Sequence, residues 1–130
     1  MSEQIEDPRG GNTTRYSKRP WGEIHMVVRN QKCSVDLTHV MPGERSSLHA
    51  HTIRHELFHF LDDGAYLELE GEIARPKAHE EYLIKPGHRH RFWAEENEFR
   101  MLVVSFGKWT SSDQTRYEDD YGREGTELEI

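Results

Sequence analysis

Apolar and polar residues alternate through the middle of this chain with a period of two, in short runs separated by turn residues at fairly even spacing. Cys33, Val35 and Leu37 fall on one face of such a run and Ser34, Asp36 and Thr38 on the other, which predicts a strand with one core face and one polar face. A first strand is expected over 23–29, ended by Asn30-Gln31, and Met41-Pro42-Gly43-Glu44 breaks the next run. Further strands are expected over 48–51, 55–61, 65–70, 72–74, 80–84, 90–94 and 99–106. The last has apolar residues on both faces, which suits a central strand. No segment sustains a helical period. The pattern therefore predicts an all-β domain, a small barrel or jelly-roll double sheet.

The two ends lie outside that pattern. Residues 1–15 are polar, contain Gly10-Gly11 and show no periodicity, so they are expected to form a flexible N-terminal arm. Residues 111–130 are polar and acidic, with Glu118, Asp119 and Asp120 among them, and read as a C-terminal segment outside a barrel of residues 16–110. The 130 residues suffice for one domain. A net charge of −7, from 24 acidic and 17 basic residues, lacks the basic stripe that nucleic acid would require. No apolar run is long enough for a helical membrane span, and the N-terminus lacks signal-peptide character, so a cytoplasmic protein is expected. The single cysteine, Cys33, cannot form an internal disulfide and is expected to be a buried, inert thiol. Trp21, Trp93 and Trp109 are expected to pack in the core or at its rim.

The candidate chemistry gathers in two stretches. His49 and His51 stand two apart, so a strand aims both imidazoles at one side; Glu56 follows, and His90 closes Pro86-Gly87-His88-Arg89-His90. Three neutral imidazoles and a carboxylate suit one divalent transition metal, whether Zn, Mn, Fe, Co or Ni. Of the remaining histidines, His25 and His39 read as ordinary strand residues, His59 as packed or surface, and His79 as solvent-facing. His55 and His88 neighbour ligands and are candidates for supporting donors or pocket acids.

With Gly43 six residues before His49 and Pro-Gly-x-x-His downstream, the two stretches resemble the paired motifs of the cupin family. Arg19-Pro20-Trp21-Gly22 before the first expected strand, and Tyr117-Glu118-Asp119-Asp120-Tyr121-Gly122-Arg123 at the end, resemble the cupin domain of type II mannose-6-phosphate isomerases. The resemblance spans about residues 17 to 123. It implies a single cupin barrel (a double-stranded β-helix), a sugar or sugar-phosphate substrate, and often a homodimer. It also implies a metal-dependent aldose–ketose isomerase of the mannose 6-phosphate/fructose 6-phosphate type. Glu56 or His88 would move the proton. Arg54, two before the motif glutamate, comes first for binding phosphate, followed by Arg19, Lys85 and Arg91. Tyr121 and its acidic neighbours would be either a lid over the barrel mouth or a solvated tail. The chain departs from that branch at Ala50, Thr52 and Ile53, and has Leu57 where the branch carries a histidine. The general ligand set also leaves open an iron-dependent dioxygenase, or a non-catalytic, metal-containing sugar-binding cupin.

Overall fold

Every regular element is a β-strand in the computed structural model, which describes residues 7–9 and 16–123; no helix occurs among them. No helix is therefore long and apolar enough to cross a membrane among the described residues. The expected mobile arm lies largely outside them. The chain divides into two compact units, residues 1–32 and 33–130.

The N-terminal unit contains an antiparallel hairpin of β1 (Tyr16–Arg19) and β2 (Gly22–His25), with Trp21 at its tip exposed rather than packed. The expected first strand is thus shorter than 23–29 and is preceded by one that the pattern did not reveal. In the same unit Arg9 is buried, with its guanidinium on the Asp7 carboxylate and the Val27 carbonyl.

The larger unit holds β3 (Ser34–Val40), β4 (Leu48–Ala50), β5 (His55–Phe60), β6 (Ala65–Leu69), β7 (Glu72–Ala74), β8 (Glu81–Ile84), β9 (His90–Ala94), β10 (Phe99–Phe106) and β11 (Thr115–Glu118). They form two antiparallel sheets, ordered β3-β10-β5-β8 and β11-β4-β9-β6-β7. Phe58, Phe60, Phe99, Met101 and Val103 of the first sheet meet Ala65, Leu67 and Ala94 of the second in one apolar core. Phe58 stands edge-on to Phe92 across it, with ring centroids 5.7 Å apart. β10 lies between β3 and β5, the central position its two-sided apolar pattern implied.

In the larger unit, expectations for two stretches are corrected. The alternation of β3 is real, but its apolar residues face outward: Val35 and Leu37 are 55% and 64% exposed, while Thr38, half-buried, and Asp36, still exposed, line a cavity open to solvent. β3 is an edge strand whose inner face lines the cavity at Asp36 and Thr38 and reaches the core only at Val40, and a period of two cannot tell which face is inside. Cys33, just before it, is exposed rather than buried. The second correction concerns the C-terminal stretch. Beyond residue 110, β11 pairs with β4 as the outer strand of the five-stranded sheet. Only Arg116 of that strand is buried, so its residues gave no apolar alternation to read.

Candidate metal centre

Two Pro-Gly turns of the same build lead into the ligand strands. Glu44 donates its amide to the Met41 carbonyl at 3.1 Å, and His88 donates to that of Lys85 at 3.0 Å. Proline fixes φ at the second position of each turn, and Gly43 (φ 78°) and Gly87 (φ 85°) take the left-handed third position that side chains disfavour. The Gly87 amide also donates to the His51 carbonyl at 2.7 Å, which ties the second motif to the first. β4 and β9 then run antiparallel with His49 directly opposite His90. β5, from the facing sheet, brings in Glu56.

The structure gathers all four residues. The ring centroids of His49 lie 4.2 Å from those of His90 and 5.1 Å from those of His51. One ligand atom from each of the three imidazoles falls within 4.8 Å of the others, and all three residues are buried. Each Nδ1 meets a main-chain carbonyl: His49 with Ser47 at 2.9 Å, His51 with Asp113 at 2.7 Å, and His90 with His88 at 2.9 Å. A carbonyl can only accept, so when neutral each of these imidazoles carries its proton on Nδ1 and leaves Nε2 bare, with the Ser47 hydroxyl also 3.0 Å from His49 Nδ1. Buried Nε2 atoms of His51 and His90 have no hydrogen-bond partner. They nevertheless lie 3.0 and 3.5 Å from Oε1 of Glu56. Lone pairs facing a carboxylate repel unless a cation or a proton stands between them. This donor set fits a divalent transition metal.

The charges agree with that fit. Burial, reinforced by the charges of His90 and His51, lowers the His49 pKa to about 3, so its imidazole is neutral at physiological pH. Burial alone would raise the Glu56 pKa, but neighbouring His51 and His90, which donate to it when protonated, hold it well below the ordinary carboxylate range.

His49, His51 and Glu56 line one wall of a cavity of about 270 Å³, with His90 behind them. The other expected site residues fall in several places. Arg54 reaches the cavity, but its guanidinium is buried against Glu56 Oε2 (3.3 Å), the Thr110 carbonyl (3.2 Å) and Asp113 Oδ2 (4.0 Å), and lies over the Trp109 ring. Arg91 is turned to the Ser46 carbonyl and Glu118. Neither Arg91, Lys85 nor the His88 side chain is among the lining residues; His88 contributes its carbonyl to His90. Arg19 is an exposed residue of the N-terminal unit. Tyr121 is exposed, and its turn is fastened down: its hydroxyl bonds to the Glu44 carboxylate, while Asp120 pairs with Arg45 at 2.5 Å. Trp93 stacks on Tyr66 at 5.3 Å, away from the ligands. His59 is buried and paired with Glu81 at 2.7 Å.

The cavity also holds side chains that the sequence did not single out, among them Asp36, Gln114, Arg116 and Arg123. The first sits on the polar face of β3, and the arginines sit in the acidic C-terminal stretch.

The model of one protein family, Mannose-6-phosphate isomerase C-terminal, matches residues 8–119. The chain belongs to that family. A search of curated proteins finds no match. Solved structures agree on the fold. A dTDP sugar isomerase from Desulfovibrio desulfuricans G20 superposes with a TM-score of 0.65 at 15% identity, covering 82% of this chain and 81% of that one. A cupin protein from Bacteroides fragilis gives a TM-score of 0.54 at 14% identity, covering 77% of this chain and 94% of that one. The nucleoside dehydratase Pac13 gives 0.58 at 12% identity, with 75% and 77% covered. This is an all-β cupin with a buried histidine triad able to hold a metal ion.

Proposed function

We propose that this cupin is a metal-dependent isomerase of sugars or sugar phosphates, with mannose 6-phosphate and fructose 6-phosphate as the first pair to test. The observation that carries this reading is the convergence of three imidazoles and Glu56 on a cavity that also presents Asp36, Thr38, Ser46, Ser47 and Gln114, groups suited to hydrogen-bonding a polyol. A divalent ion bound there supplies a Lewis acid for the carbonyl and adjacent hydroxyl oxygens of an open-chain sugar.

Isomerisation moves one proton between adjacent carbons, and its carrier must be free of the metal. Glu56 is a weak base, held ionised among His51, His90 and Arg54. Asp36 is the one carboxylate of the cavity wall outside the ligand set among the described residues. In this mechanism Asp36 takes the proton from C2 of the aldose and returns it to C1, while the O2 hydroxyl proton passes to O1, so atoms and electrons balance. Arg116 and Arg123 line the same cavity, Arg123 already paired with Asp119 at 2.9 Å, and are the candidates there for meeting a phosphate.

Metal-depleted protein, reloaded in turn with Zn, Mn, Fe, Co and Ni, should interconvert at least one aldose–ketose phosphate pair. Asp36→Asn should then lower kcat about 10²- to 10⁴-fold at unchanged metal content. Full turnover by that variant would remove Asp36 from the mechanism, and no isomerisation with any ion would overturn the reading. Phe58, Phe92, Val103 and Trp109 form an apolar part of the wall, which supports iron-dependent dioxygenase chemistry as the second reading. Oxygen uptake with Fe(II) would select it. Metal-dependent binding of a sugar phosphate without turnover would instead select a binding protein.

A further inference from the structure

Asp113 lies in the turn before β11, neither lining the cavity nor in the ligand set, yet its bonds converge on the segment joining two ligands. Its Oδ1 accepts from the Thr52 amide at 2.6 Å, the Thr52 hydroxyl at 2.5 Å and the Ile53 amide at 2.9 Å. Its Oδ2 accepts from the Arg54 amide at 3.1 Å and faces the Arg54 guanidinium at 4.0 Å. Its main-chain carbonyl accepts a hydrogen bond from His51 Nδ1 at 2.7 Å. One residue therefore grips all of residues 51–54, the whole of the link between His51 and the start of β5. Asp113 is 2% exposed, and although burial raises its pKa, the bonds from Thr52, Arg54 and Ile53 outweigh that and keep the carboxyl below its ordinary range.

We infer that Asp113 is a positioning residue of the metal centre, and that cation binding is coupled to the docking of its turn onto residues 51–54. The inference rests on the metal-centre reading above. Asp113 acts on His51 directly, by fixing which ring nitrogen is bare and where it points. It acts on Glu56 through Arg54, whose Nε reaches Glu56 Oε2 at 3.3 Å. A cation would pull His51 and Glu56 together from inside the cavity, while Asp113 holds the same segment from outside. Two restraints on one segment reinforce each other, and the coupling is reciprocal: a docked turn tightens the cation, and a bound cation tightens the turn.

The test uses the full-length protein and zinc alone, with affinity read by competition against a chromophoric chelator. Asp113→Asn keeps the main-chain carbonyl and one side-chain oxygen but loses the charge and one acceptor, so it should stay folded while binding zinc about 10- to 100-fold more weakly. The rise in melting temperature on adding zinc should shrink in parallel, and the visible spectrum of the Co(II)-loaded variant should change. A role confined to the fold would lower the metal-free melting temperature and leave affinity and spectrum alone. If the wild type binds zinc and a folded Asp113→Asn matches it within twofold, this inference is overturned while the metal centre stands. If the wild type binds no zinc, the same comparison is made with Co(II), and if it binds neither that nor Mn, Fe or Ni, both fall. Should the variant fail to fold, amide hydrogen exchange of the wild type decides: zinc should slow exchange at Thr52, Ile53 and Arg54, and unchanged exchange there overturns the coupling.

Discussion

His49 reports its surroundings through its charge. Its imidazole is neutral in the folded chain down to about pH 3, against an ordinary value of 6.5, with burial the main cause. Between those two values the unfolded chain binds the proton that the folded one refuses, so stability is full above about 6.5 and is lost as pH falls. Glu56, with its pKa held below 4.5, adds a loss of the same sign in more acid solution. Metal-free protein should thus be less stable to urea at pH 5 than at pH 7, with His49 contributing on the order of 2 kcal/mol, and His49→Asn should flatten that difference. An equal midpoint at both pH values in the wild type would contradict the burial of a neutral imidazole. The candidate ligands were legible in the sequence because a strand's two-residue period and two Pro-Gly turns fix their directions locally. Asp113 left no such trace, because its partners at 51–54 lie far back along the chain and a long-range cap has no local pattern. Asp36 was visible only as a polar residue on a strand, and its place in the cavity depends on which face turns inward.

Among the strands, those covered on both faces were easiest to read. β10, between β3 and β5, packs apolar residues on either side and matched its expected limits. The outer strands misled, since β3 turns Asp36 and Thr38 to the cavity and β11 buries only Arg116. β11 is nonetheless bonded along β4, the strand that carries His49, with Arg116 opposite His49. A chain ending at Trp109 would lose β11 and Asp113 together and expose the β4 edge. It should lose zinc binding and either melt well below the full-length protein or aggregate. A soluble truncated chain with unchanged melting temperature and zinc affinity would show the C-terminal stretch to be a dispensable tail.

The chain as a whole is acidic, with a net charge of −7, yet the cavity of its larger unit has Arg54, Arg116 and Arg123 among its lining residues. Family membership and the cupin fold accord with the resemblance carried by the two Pro-Gly motifs and the flanking signatures. Substrate was less legible, because the basic residues that reach the cavity are not the ones the resemblance ranked, Arg54 excepted, and even Arg54 is bound to Glu56 and Asp113. The most direct experiment is elemental analysis of purified protein after loading with zinc, manganese or iron and removal of excess ion. The wild type should retain about one ion per chain, and His51→Ala almost none with an unchanged far-ultraviolet circular dichroism spectrum. A folded wild-type chain that retains no ion after such loading would contradict the metal centre and the isomerase built upon it.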